Sequence, residues 1–175
     1  MGVNRGKDFE NIIHSAFESV QGVSIDRIYD NTAGFKGVAG ICDFIVYKEP
    51  YEYYFECKSV HGNTLSIHSN DPKKKYGNIT NKQWEGLLEK SRIQGVFAGI
   101  ICWWCDKDVT KFIPIKTLQE LKSLGYKSIR YDSGIPDYLN YADSEYCMIE
   151  IKGKKKRVFF DYDMEDFLSH FNGGI

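Results

Sequence analysis

The stretch ICDFIVYKEPYEYYFECKS, residues 41–59, decides how this sequence is read. Residues 41–47 and 53–59 are rich in β-branched and aromatic side chains and read as two strands. Lys48, Glu49, Pro50 and Tyr51 form the turn between them, with Pro50 fixing its own φ. A turn centred between Glu49 and Pro50 pairs antiparallel residues whose numbers sum to 99, which sets Asp43 directly opposite Glu56. Directly opposed residues share a face, with Cβ atoms about 4.5–5.5 Å apart. Lys58, two residues beyond Glu56, points the same way. Cys42, Phe44, Val46, Tyr53, Phe55 and Cys57 fall on the other, apolar face. Two opposed carboxylates on such a hairpin repel each other unless a cation lies between them. Oxygen ligands at that spacing suit Mg²⁺ or Mn²⁺. The plainer alternative is an edge hairpin with a surface ion pair, and the apolar flanks argue against it.

On the N-terminal side, residues 4–20 read as a helix, because Phe9, Ile12, Ile13, Ala16, Phe17 and Val20 recur at helical spacing. Residues 23–29 read as a strand, and 30–40, with Gly34, Gly37 and Gly40, as a loop. No Lys-Ser/Thr pair opens a helix after those glycines, so they are not a P-loop. On the C-terminal side, 60–79 read as a polar loop carrying Lys73, Lys74 and Lys75. Residues 80–92 read as a helix whose Thr80 and Gln83 fit a capping box. Residues 95–105 and 110–115 read as strands, 116–124 as a helix and 127–131 as extended. Residues 145–151 and 157–162 read as a second hairpin, and 163–171 as a closing helix. The order implies one domain over residues 1–175, of α/β or mixed α+β class, with a central mixed sheet flanked by helices.

The 175 residues include 42% hydrophobic and 15% aromatic side chains, enough for a core and too many for a disordered chain. Twenty-three basic and 24 acidic residues give a net charge of −1, which excludes a purely electrostatic DNA coat. The longest apolar run, residues 96–105, falls well short of the about 20 residues of a membrane span. The first 20 residues lack the apolar segment of a signal peptide, so a cytoplasmic location without a membrane partner is expected. There the five cysteines read as thiols, Cys102 and Cys105 among them despite their CxxC spacing.

Asp43 followed by Glu56-Cys57-Lys58 resembles the PD-(D/E)xK nuclease superfamily. Within it, Asn4-Arg5-Gly6, Glu10, the Asp43-to-Glu56 interval and the later Lys82-Gln83 look like RecU-type Holliday-junction resolvases, the penicillin-binding-protein-related factor A family. The resemblance covers about residues 4–131. It implies a restriction-endonuclease-like core and a Mg²⁺-dependent, or Mn²⁺-dependent, homodimeric endonuclease that nicks branched DNA at four-way junctions. It implies metal ligation by Asp43, Glu56 and the main-chain carbonyl of Cys57, with Lys58 orienting water or neutralising the phosphate. Glu10 reads either as a water-mediated metal contact or as a surface helix residue, and Gln83 either as a site residue or as the cap partner of Thr80. Arg5 reads as a contact to a phosphate or to Glu10, or as a solvated residue at the helix start. Lys73, Lys74 and Lys75 read as DNA-phosphate contacts or a solvated turn, and so do the basic residues of 152–157. The short segment 30–40 stands where that family carries a stalk, a compactness that suits a phage-encoded enzyme. A restriction-type or general nuclease and an inactive DNA-binding module remain the alternatives. Two nicks need two sites, and Trp103, Trp104, Phe112, Tyr51, Tyr53 and Tyr54 exceed what one small sheet covers; both point to a homodimer.

Overall fold

The turn at Glu49 and Pro50 forms and sets the expected register. β2 (Phe44–Lys48) and β3 (Tyr51–Val60) pair antiparallel, with Phe44 opposite Phe55 and Lys48 opposite Tyr51. This computed structural model describes residues 5–28, 40–67, 78–133 and 146–171. Asn4, Gly34, Gly37 and the proposed DNA contacts Lys73, Lys74 and Lys75 lie outside the described residues.

The hairpin is the start of a larger sheet. β1 (Ser24–Arg27) adds antiparallel to β2, and β3 pairs parallel with β5 (Val96–Trp104). The crossover between β3 and β5 carries β4 (Thr64–Ser66) and α2 (Asn81–Lys90). β6 (Val109–Pro114) returns antiparallel to β5, followed by α3 (Ile115–Ser123) and β7 (Ser128–Arg130). β8 (Ile149–Glu150) completes a six-stranded mixed sheet in the order β1-β2-β3-β5-β6-β8. β9 (Gly153–Lys155) and β10 (Phe160–Tyr162) form a separate ribbon before α4 (Met164–Ser169).

Strand alternation divides the core between the two faces. Tyr53, Phe55 and Cys57 pack with α1 (Arg5–Glu18) and α4, where Phe17 stacks on Phe55 at 5.4 Å. Tyr54, Ala98, Ile100, Cys102 and Trp104 pack with α2 and α3. β3 and β5 are therefore covered on both sides, which is why they read as near-continuous apolar runs. The six aromatic residues that suggested a dimer surface are all buried within this chain, so they supply no such surface. All five cysteines are free thiols. Among the described residues no helix is long and apolar enough to cross a membrane.

Three expectations fail locally. Ile149–Glu150 joins β6 of the main sheet, and the partner of Phe160–Tyr162 is Gly153–Lys155. Ile149 and Ile151 are drawn into the α1–α4 core, and Gly153 admits the close approach of the returning strand, since a Cβ there would lie 3.0 Å from the Asp161 carbonyl. Thr64–Ser66, expected as loop, pairs with Ser128–Arg130 so that Leu65 and Ile129 are buried. Cys42 lies in the α2–α3 core rather than on the Phe44 face, because regular alternation begins only at Phe44.

Candidate active site

Asp43 sits one residue before β2. Its N–H donates to the Phe55 carbonyl at 3.0 Å, and its carbonyl accepts from the Ile28 N–H at 2.8 Å. The first of these bonds leaves the register of the ladder, so Asp43 and Glu56 are not a regular cross-strand pair. The Asp43 carboxylate instead takes a ladder acceptor's place: Oδ2 accepts from the Cys57 N–H at 2.7 Å. Cys57 turns its thiol into the α1–α4 core, where burial pushes the thiol well above its ordinary pKa. What Cys57 can offer a hard cation is its carbonyl oxygen.

Glu56 is 4% exposed. Its Oε1 accepts from Lys58 Nζ at 2.6 Å and from Gln83 Nε2 at 2.5 Å. Gln83 Oε1 in turn lies 3.4 Å from Lys58 Nζ and accepts the Thr80 N–H at 3.0 Å, while Thr80 Oγ1 accepts the Gln83 N–H. Gln83 is thus the capping-box partner of Thr80 and also a hydrogen-bond donor to Glu56. α2 reaches this position because Gly86 has no side chain: a Cβ there would fall 2.4 Å from Cγ2 and 2.8 Å from Cβ of Ile41. Ile41 is two residues from Asp43, so Gly86→Ala is expected to displace the Asp43 segment. A smaller effect of Mg²⁺ or Mn²⁺ on the melting temperature, with little loss of helicity by circular dichroism, is the expected result, although alanine is the better helix former.

Among the described residues, Glu10 pairs with neither Arg5 nor any other residue singled out by sequence. Its Oε2 accepts from Arg27 Nη2 at 2.7 Å, while Arg27 Nη1 donates to Asn11 Oδ1 at 2.6 Å. Arg27, on the short polar strand β1, is the site residue that sequence reasoning missed; its only signal is the placement of β1 beside β2. Arg5 Nη1 donates to His61 Nε2 at 3.4 Å, His61 Nδ1 meets Asp106 Oδ1 at 3.0 Å, and the Gly62 N–H donates to Asp106 Oδ2 at 2.6 Å.

Burial sets the acidities. It pushes Asp43 up to about 6, the Cys57 N–H opposing the shift and the Glu10 charge adding to it. Glu56 rises to about 8, through burial first and the Asp43 charge second. The short contact to Lys58 favours the ionised form of Glu56, but one ammonium does not offset both effects. A divalent ion would. Each carboxylate spends one oxygen on the protein; among the described residues Asp43 Oδ1 and Glu56 Oε2 have no hydrogen-bond donor. An all-oxygen donor set with two such free oxygens fits Mg²⁺ or Mn²⁺. Among the described residues no three Asp, Glu, His or Cys side chains form a metal cage.

The raised acidities predict a pH dependence. Both carboxyls hold their proton more tightly folded than unfolded, so the stability they contribute is complete below about pH 4 and is lost as pH rises through 6 and 8. Without divalent ions, the melting temperature is expected to fall between pH 5 and pH 8.5, and Mg²⁺ or Mn²⁺ to recover part of the loss at the alkaline end. A melting temperature independent of pH and of added ion would contradict the assignment.

No family model matches the sequence, and no curated protein matches it. Among solved structures the chain is similar to Hjc, a Holliday junction resolvase from the archaeal hyperthermophile Archaeoglobus fulgidus, at 18% identity and a TM-score of 0.42, over 65% of this chain and 75% of that one.

Proposed function

We propose that this protein is a Mg²⁺-dependent DNA endonuclease acting on branched DNA, four-way junctions in particular. The observation that carries the proposal is the buried Glu56 and the half-buried Asp43, closed on one side by Lys58 and Gln83. Buried like charges destabilise a fold unless they serve a ligand or a reaction, so perturbed carboxyls mark a functional site. A divalent ion bound to Asp43, Glu56 and the Cys57 carbonyl would supply Lewis-acid activation of water and charge neutralisation at the phosphate. Glu56 and Gln83 hold the Lys58 ammonium in place. From there Lys58 orients the attacking water or takes up charge developing on the phosphate. Gln83 is a positioning residue, and the Arg27 contact aims the Glu10 carboxylate. Free thiols suit a reducing cytoplasm.

The junction preference rests on the likeness of Asn4-Arg5-Gly6, Glu10 and Lys82-Gln83 to the resolvase pattern. Incubation with Mg²⁺ and labelled four-way junction, flap, duplex and single-stranded DNA tests it. Paired nicks in the junction are expected. Cleavage of duplex at one fixed sequence would favour a restriction-type enzyme, and no cleavage of any DNA with Mg²⁺ or Mn²⁺ would reject the nuclease. Paired nicks need two sites, for which a C₂ homodimer is the simplest source. Light scattering on the DNA-bound protein should give the mass of two chains plus the junction; one chain plus the junction would leave a simple nickase.

A further inference from the structure

Five of the six residues 152–157 are basic, and the strand pairing turns them into a surface. Residues 152–158 are all exposed. The β9–β10 ribbon that carries them is nonetheless firmly held. The Tyr162 and Thr110 hydroxyls bond at 2.8 Å in the interior, and Phe159 packs on Trp103 at 5.6 Å. The Lys156 N–H closes the turn onto the Phe159 carbonyl at 2.7 Å. Three of the cations meet aspartates: Lys152 with Asp166, Lys155 with Asp108, and Lys156 with Asp161. Such exposed pairs are worth little and exchange readily for another anion. Among the described residues Lys154 and Arg157 form no ion pair.

The ribbon is also tied to the start of α1, the helix that carries Glu10. Asp108, which takes Lys155, lies two residues from Asp106, which takes His61 beside Arg5. One turn between β5 and β6 therefore connects the basic ribbon to the N-terminal end of α1. A firmly held, exposed row of cations, connected to the helix that carries Glu10, matches a repeating array of phosphates.

We propose that the β9–β10 ribbon is a second nucleic-acid contact surface, which binds the phosphate backbone of a DNA arm leading away from the cleaved strand, without reading its bases. The proposal rests on the nuclease reading of the site, and it places affinity rather than chemistry in the ribbon. Phosphate contacts release counterions, so each lost contact lowers the slope of log affinity against log salt by about 0.9.

The test uses anisotropy of a labelled four-way junction across a salt series, in the Asp43→Asn background so that the DNA stays intact. Lys154→Gln with Arg157→Gln is expected to weaken binding several-fold and to lower the salt slope by about 1.8, for two contacts. Lys48→Gln with Arg92→Gln, at the other end of the parallel strands, should leave the slope unchanged. In the otherwise unaltered enzyme, the ribbon double variant should keep its single-turnover cleavage rate at saturating DNA. An unchanged slope overturns the ribbon's role while leaving the nuclease reading intact. Equal losses in both double variants show a general charge effect and also overturn it. If the parent protein binds no DNA, the nuclease reading fails and the ribbon's role with it. Should the double variant melt early, Lys154→Gln alone, with a slope change of about 0.9, decides the question.

Discussion

Asp43→Asn is expected to lower Mg²⁺-dependent cleavage by at least about a thousandfold while leaving DNA binding within a few-fold of normal. Charge stabilisation by a bound ion is worth several kcal/mol of barrier, and each about 1.4 kcal/mol is tenfold in rate. Asparagine keeps an oxygen able to accept the Cys57 N–H, so the strand geometry survives the change. It removes a half-buried charge that Glu56 feels directly, so the melting temperature of the metal-free protein at alkaline pH should rise. The combination of lost activity, retained binding and higher stability separates a functional carboxylate from a structural one. Full activity in this variant would refute the role assigned to Asp43.

The second large effect is expected at Lys58. Lys58→Ala should reduce the single-turnover rate on pre-bound junction by about 10²–10³, the loss typical of one donor at a developing oxyanion. Glu56 then keeps only Gln83 on its Oε1, so its acidity should weaken further. Lys58→Arg should restore little, because a planar fork cannot place one ammonium between the Glu56 and Gln83 oxygens. A rate within a few-fold of the parent in Lys58→Ala would assign the lysine to charge balance alone. Gln83→Ala helps to separate the roles: it should slow cleavage through Lys58 and also loosen the start of α2.

The sequence makes the hairpin legible because a turn centred on Glu49 and Pro50 leaves one register, and the observed pairs of β2 with β3 follow it. The capping box was equally readable, since Thr80 and Gln83 stand at the spacing that the motif requires. What alternation cannot show is where a ladder ends. The Asp43 carboxylate replaces a main-chain acceptor just at that point, so the pair is less regular than strand arithmetic implies. Arg27 was hidden because its partner, Glu10, comes from another element and β1 has no hydrophobic signature. The pairing of Thr64–Ser66 with Ser128–Arg130 joins two three-residue segments far apart in sequence, where local propensity carries almost no information. The β8 segment is similar: two residues join a distant strand because tertiary burial of Ile149 outweighs the pull of the nearer hairpin.

β3 is hydrogen-bonded on both sides, to β2 and to β5, and both of its faces are covered. The amide hydrogens of Glu56, Cys57 and Lys58 are therefore expected to be among the slowest to exchange, opening only when the whole molecule opens. The Arg5 end of α1, a helix terminus, belongs to the opposite extreme, where fraying costs little. The strand that carries the candidate site and the helix end beside it thus differ widely in rigidity. Under urea, cleavage of tightly bound substrate should persist until the cooperative transition itself.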